Sequence, residues 1–324
     1  LHLHQLLLMT INMKYAIIGV GGVGGYYGGK LAKAGKDVHF LFHSDFEYVL
    51  EHGLRVDSCD GDFLLPNVKA YGKAADVPPC DIVIVALKTV NERLLNDLLP
   101  PLLKEDTLVL LIQNGGGVEA DVQKSFPGID LAAGLAFICS AKVGPGHINH
   151  QCYGSINIGN FSCRDQKKIE MLVDDFREAG IEAACVEYYE ARWKKAVWNM
   201  PFNGLTVVLN AQTDQILANP STEQLVRDLM MEVVGASRAL GVDKVDEDFV
   251  EKMMEMTRVM TPYSPSMKLD FDNHRPMEIE YIYSKPIAMA KEAGFHARKL
   301  EMLEQQLRFL SNYNPCGSAL RFRK

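Results

Sequence analysis

Residues 14–24 read Lys-Tyr-Ala-Ile-Ile-Gly-Val-Gly-Gly-Val-Gly, an apolar run that enters a G-x-G-x-x-G turn made by Gly19, Gly21 and Gly24. A helix-compatible segment from Gly25 to Ala34 follows. Strand, glycine turn and helix in that order form the dinucleotide-binding fingerprint in the context it requires. Gly19 permits the tight turn, Gly21 lets the backbone approach a pyrophosphate, and Gly24 allows the helix to pack closely on the strand. The helix start, with Gly22 and Val23 inside the turn, then offers free N–H groups and partial positive charge to phosphate. Without that context the same glycines would read as an ordinary turn between a strand and a helix.

The next 160 residues keep alternating. Strand-like runs at Asp37–Phe42, Ile82–Ala86, Thr107–Ile112 and Leu131–Ser140 are separated by helical patterns at Phe46–Glu51, Val90–Leu99 and Val118–Ser125. Such βαβ units predict a parallel, doubly wound sheet. Leu54–Asp57 and Asp62–Leu65 read as a small hairpin, and His147–Tyr153 and Ser155–Ile158 as two strands around Gly154. A helix at Gln166–Ala179 and a strand at Glu182–Val186 close this half. Beyond Tyr188 only amphipathic helical patterns remain: Ala191–Leu209, Thr222–Leu240, Glu247–Met260, Met277–Ala293 and Arg298–Leu310. The expected fold is α/β, an N-terminal Rossmann doubly wound domain over residues 13–187 and an all-helical C-terminal domain over 188–324. Residues 1–12 read as an extension expected to be disordered. Their apolar core, Leu6–Met9, is too short for a signal peptide and lacks a basic flank and a small-residue cleavage site.

A length of 324 residues suits two domains. The net charge of -7 argues against a nucleic-acid partner, which needs a basic face. No apolar run reaches membrane-spanning length. The seven cysteines are scattered, odd in number and free of C-x-x-C spacing, which fits reduced thiols in a cytoplasmic protein. A monomer and a homodimer are equally compatible with the sequence.

Ligands of such sheets bind beyond the carboxyl ends of the strands. After the second strand come Phe42-His43-Ser44, with no acid where an NAD site would hold the ribose hydroxyls. That favours NADP, His43 and Ser44 being able to bond a 2′-phosphate; His43 also reads as a plain loop histidine. Lys88, after Ile82–Ala86, could meet an anion or be a solvated loop lysine. Asn114, followed by Gly115-Gly116-Gly117, could offer its amide to a ligand or simply serve a turn.

In the helical half, Lys195, Asn199 and Asn203 recur at i, i+4 and i+8 and share one helix face. Asparagine is a poor helix former, so two on one stripe beside a lysine in an apolar helix suggest buried groups with partners to meet. The alternative is a solvent-facing polar stripe. Pro201 is a candidate kink between the two asparagines. Ser266, Asp270 and Glu278 follow; an acid such as Glu278 at a helix start is also favoured by the macrodipole alone. The spacing His147-x-x-His150-x-Cys152 imitates a metal cluster, but strand alternation splits these side chains between faces, so no metal site is expected.

Together Leu87-Lys88, Asn114-Gly115, Trp193-Lys194-Lys195 with Asn199 and Asn203, Ser266-Met267 with Asp270, and Glu278-Ile279-Glu280-Tyr281 resemble the ketopantoate reductase (2-dehydropantoate 2-reductase) family from Met13 to about Phe309. The resemblance implies NADPH-dependent reduction of 2-dehydropantoate to (R)-pantoate in pantothenate and coenzyme A biosynthesis. It implies Lys195 as general acid, with Glu278 in the same catalytic network. Asn199, Asn203 and Ser266 would position the substrate, and Lys88 and Asn114 would lie at the nicotinamide end. Two departures stand out: His43 where the family commonly has arginine, and Gly116-Gly117 where it has a bulkier residue. A ketone receiving hydride develops negative charge on oxygen, which a lysine ammonium can stabilise and protonate; closure of the helical domain would exclude water. The alternatives are a related two-domain NAD(P)-dependent reductase of another 2-oxo acid, and a non-catalytic NADP-binding sensor. The sensor would need neither Lys195 nor Glu278.

Overall fold

Strand β1 (Lys14–Ile18) is buried along nearly its whole length because Tyr15 to Ile18 present apolar side chains to both faces of a sheet. The computed structural model describes residues 13–313, so the extension expected at 1–12 lies outside them. The other strands are β2 (Asp37–Leu41), β3 (Leu54–Ser58), β4 (Phe63–Leu65), β5 (Lys69–Tyr71) and β6 (Ile82–Val85). They continue as β7 (Leu108–Leu111), β8 (Asp130–Gly144), β9 (His147–Asn160) and β10 (Ala183–Val186). Among the described residues these ten form one sheet in the order β4-β3-β9-β8-β7-β6-β1-β2-β5, with β10 also on β9. The stretch from β8 to β5 is parallel, as the alternating pattern predicts.

The sheet is mixed rather than wholly parallel. β8 and β9 are joined only by Pro145 and Gly146, too short a link for a crossover, so they pair antiparallel. β8 outruns the expected end at Ser140, and the two strands read around Gly154 are one. Tyr153 (φ 64°) and Gly154 (φ 121°) bend β9 at a register shift instead of ending it. The helix expected over Val90–Leu99 is broken into a 3₁₀ stretch, Thr89–Leu94, and a short α-helix, Leu95–Leu98, before a 3₁₀ turn at Pro100–Leu102. Asn91 leaves helical φ/ψ, and the two prolines at 100 and 101 end the pattern.

The chain divides into two compact units. The first holds residues up to Leu87, Asn91–Gln113 and Val122–Val186. Its helices are α1 (Gly22–Lys33), α2 (Phe46–His52), α3 (Leu95–Leu98) and, beyond the boundary helix α4 (Val118–Ser125), α5 (Gln166–Glu178). Its core joins Tyr15, Ile17, Tyr27 and Phe40 to Leu172 and Phe176 on the apolar stripe of α5.

The second unit holds Lys88–Val90, Asn114–Asp121 and the chain from Glu187 on. Its helices are α6 (Tyr188–Val208), α7 (Thr213–Ala218), α8 (Pro220–Ala239), α9 (Glu247–Val259), α10 (Ser266–Asp272), α11 (Lys285–Glu292) and α12 (Arg298–Tyr313). Val197 and Phe202 of α6 pack with Val226 and Met230 of α8 and Leu303 of α12. α6 runs unbroken through Pro201, where Tyr283 Oη donates to the Met200 carbonyl at 2.5 Å. The pattern read over Met277–Ala293 begins as a π-helical turn, Glu280–Ser284, before α11.

Candidate active site

The glycine turn has the shape its sequence demands. Gly19 adopts φ 91°, and a Cβ there would lie 2.7 Å from the Leu87 nitrogen. A Cβ on Gly24 would sit 2.3 Å from the Gly19 carbonyl oxygen, so only glycine lets α1 press onto the turn. At Gly21, by contrast, a Cβ would meet nothing within 4 Å. The first turn of α1 carries no acidic residue and no side chain caps it. The first N–H groups of α1 thus start beside the open backbone of Gly21 with no side chain capping them, which fits a dinucleotide pyrophosphate.

Beyond β2, His43 and Ser44 are exposed. Ser44 Oγ donates to Asp45 Oδ1 at 2.9 Å. Asp45 itself is buried, ion-paired to Lys142 (2.7 Å) and bonded to the Gly146 N–H (3.0 Å). These partners hold its carboxyl below the usual range against the opposing, larger pull of burial. The first acid after β2 in the sequence is thus committed to structure.

In the second unit Lys195, Asn199 and Asn203 line α6 as their spacing predicts. Lys195 is half-buried as a residue, and protein surrounds its ammonium. Burial first, and then the Arg192 guanidinium one turn earlier, lower its pKa to about 7, while the Glu278 carboxylate draws it upward. Glu278 is 5% exposed, and burial pushes its pKa up. Its Oε1 accepts from both the backbone N–H and Oγ1 of Thr89, each at 2.9 Å, which opposes that rise. The segment Lys88–Val90 thereby anchors the acid.

Lys88 is held by an ion pair with Asp270, whose side chain is 2% exposed and also receives Arg275 Nε at 3.0 Å. Asp270 Oδ2 is buried without a hydrogen-bond partner among the described residues. Asn203 is engaged by the protein on both sides of its amide. Its Oδ1 accepts from the Met267 N–H at 3.1 Å and its Nδ2 donates to the Asn199 carbonyl at 3.0 Å. It therefore fixes the start of α10, and with it Ser266. Asn199 and Asn114 are both partly exposed.

The glycines after Asn114 serve packing. Gly115 (φ 101°) lies so close to Tyr281 that a Cβ would come within 2.3 Å of its carbonyl oxygen, and the Gly116 N–H donates to that oxygen at 2.8 Å. Farther along the same segment, Glu119 is fully buried and accepts from Tyr188 Oη (2.7 Å) and from Arg192. Thr89, Glu119 and Arg192 carry no motif of their own. Thr89 adjoins Lys88 in sequence, but Glu119 and Arg192 lie 73 residues apart, with no spacing signal to join them.

The decoy His147-x-x-His150-x-Cys152 does not gather. His147 Nε2 pairs with Asp57 at 2.8 Å, whereas His150 points to Ser58 and the Tyr153 carbonyl.

Comparison with known proteins follows the same two halves. The family model described as Ketopantoate reductase PanE/ApbA matches residues 15–162, and Ketopantoate reductase PanE/ApbA C terminal matches residues 187–311. A 2-dehydropantoate 2-reductase of Nostoc sp. is 45% identical over 310 residues, covering 94% of this chain and 97% of that protein. The crystal structure of 2-dehydropantoate 2-reductase from Geobacter metallireducens GS-15 aligns with a TM-score of 0.89 at 39% identity, over 92% of this chain and 99% of that one. That of 2-dehydropantoate 2-reductase from Methylococcus capsulatus aligns at 0.88 and 32% identity, over 95% and 99%.

Proposed function

The chain belongs to the ketopantoate reductase family, and on that premise we propose that it reduces 2-dehydropantoate to (R)-pantoate with NADPH, on the route to pantothenate and coenzyme A, with Lys195 as general acid. NADPH supplies the hydride when bound. The turn residues Gly19, Gly21, Gly22, Val23 and Gly24 hold its pyrophosphate. His43 meets the 2′-phosphate, with Ser44 beside it; because the Ser44 hydroxyl proton is engaged by Asp45, His43 carries more of that recognition. Lys88 and Asn114 serve the nicotinamide end.

As the ketone carbon is reduced, its oxygen gains negative charge. The Lys195 ammonium donates a hydrogen bond to that oxygen and then gives up its proton. A lysine at its ordinary pKa would be a reluctant acid at neutral pH. Burial beside Arg192 makes Lys195 a stronger one, and Glu278 keeps it protonated enough to act. Thr89 fixes the Glu278 carboxylate, Asn199 and Ser266 orient the substrate, and Asn203 places Ser266 by holding the start of α10. The observation that carries this reading is the buried Glu278 carboxylate, anchored by Thr89, facing a Lys195 ammonium that protein surrounds. Residues 13–187 act as the cofactor domain and 188–324 as the substrate domain, the latter drawing on Lys88–Val90 and Asn114–Asp121. The protein works in the cytoplasm as a monomer or homodimer. Its six described cysteines are free thiols, and none of its described helices is long and apolar enough to cross a membrane.

Loss of NADPH absorbance with 2-dehydropantoate, compared with pyruvate and bulkier 2-oxo acids, tests the substrate. Lys195→Ala tests the acid: turnover should fall by about 10²- to 10⁴-fold with little change in NADPH affinity. An equal loss of both would remove Lys195 from the chemistry.

A further inference from the structure

Three side chains outside the reductive cluster converge where β3 leaves the sheet. Cys59 and Asp60 follow β3 in its turn toward β4, and His150 lies on β9 directly opposite Ser58 of β3. His150 is 1% exposed. Its Nε2 faces the Tyr153 carbonyl at 3.0 Å and can only donate there, so Nδ1 carries the lone pair. Nδ1 lies 3.8 Å from Cys59 Sγ and 3.9 Å from a carboxylate oxygen of Asp60. All three ligand atoms fall within 4.8 Å of one another. Zinc bonds of about 2.0–2.3 Å at tetrahedral angles put ligand atoms about 3.4–3.6 Å apart. Small rotations of the exposed Cys59 and Asp60 side chains close the difference.

The surroundings match a cation as well. The Tyr153 carbonyl fixes the ring orientation and leaves Nδ1 as the ligand, which is how ligating histidines are usually held. The Tyr26 ring lies 4.1 Å from the His150 ring, centroid to centroid, and its hydroxyl bonds to Asp60. Ser58 Oγ donates to the same Nδ1 at 2.8 Å, and this is the bond an ion would displace.

We propose that Cys59, Asp60 and His150 form a binding site for a zinc-type divalent cation, with water as the fourth ligand. One thiolate, one imidazole and one carboxylate suit zinc, whereas magnesium and calcium prefer all-oxygen sets. On binding, the Cys59 thiol releases its proton to solvent as the sulfur–metal bond forms. The ion would tie the β3–β4 turn to β9 and, through Tyr26, to α1.

The test uses the full chain stripped with a chelator, then titrated with Co²⁺ as a spectroscopic probe and with Zn²⁺ against a chromophoric chelator. One equivalent should bind, with tetrahedral cobalt bands and a near-ultraviolet thiolate-to-cobalt transition. Because His150 is buried, the exposed positions carry the test. Cys59→Ser should abolish the thiolate transition and, like Asp60→Asn, weaken Zn²⁺ binding by more than the about tenfold expected for Tyr26→Phe. Zn²⁺ affinity unchanged by Cys59→Ser, or cobalt bands without a thiolate transition, would mean an adventitious ion only and overturn the proposal. So would the absence of binding at micromolar metal.

Discussion

Lys195 concentrates the chemistry into one titration. Its ammonium is the acid of the proposed reduction, so kcat/KM should be highest where it is protonated and should fall as pH rises through about 7. A profile flat from pH 6 to 9 would exclude that role. Arg192 lowers the Lys195 pKa, so Arg192→Met should move the falling limb to higher pH. That the stripe Lys195, Asn199, Asn203 lines one face could be read from spacing alone. That Arg192 tunes it could not, because its partner Glu119 comes from a distant segment. His43 is legible in the opposite sense, through the arginine it replaces. His43→Arg should tighten NADPH, measured by fluorescence titration, and an unchanged Kd would mean that position 43 does not face the 2′-phosphate.

The strand–turn–helix at β1 and α1 separates two roles that the glycine motif merges. A Cβ at Gly21 touches no protein atom, while one at Gly24 collides with the Gly19 carbonyl. Gly21→Ala should therefore melt like the wild type yet lose most NADPH affinity, and NADPH at about 100 times the wild-type Kd should stabilise only the wild type, by about 2.7 kcal/mol. Gly24→Ala should lower Tm even without cofactor. The motif announced this element plainly. The β8–β9 ribbon was less legible, because a glycine with φ 121° inside a strand looks like a turn until its neighbours are known to pair across it. The helical half shows the same limit. Its amphipathic stripes marked the long helices, but α10 is short and is held by Asn203 rather than by its own periodicity.

At the scale of the molecule, two separate apolar cores account for the split of the sequence into an alternating half and a helical half. The buried Glu119–Arg192 pair belongs entirely to the second. Breaking such a pair on one side leaves a buried charge and costs about 3–5 kcal/mol. Glu119→Ala should therefore lower Tm sharply, and Arg192→Met combined with Glu119→Gln should recover much of the loss. Full destabilisation in the double variant would show that the pair matters for shape rather than for charge.

The segments Lys88–Val90 and Asn114–Asp121 make the second unit discontinuous in the gene. A clone starting at Glu187 would encode every helix from α6 onward and still omit Thr89 and Glu119, leaving Glu278 and Arg192 stranded in its interior. Shuffling the catalytic half between homologues as a single cassette should consequently yield insoluble chimeras, whereas grafting the two short insertions along with it should rescue them.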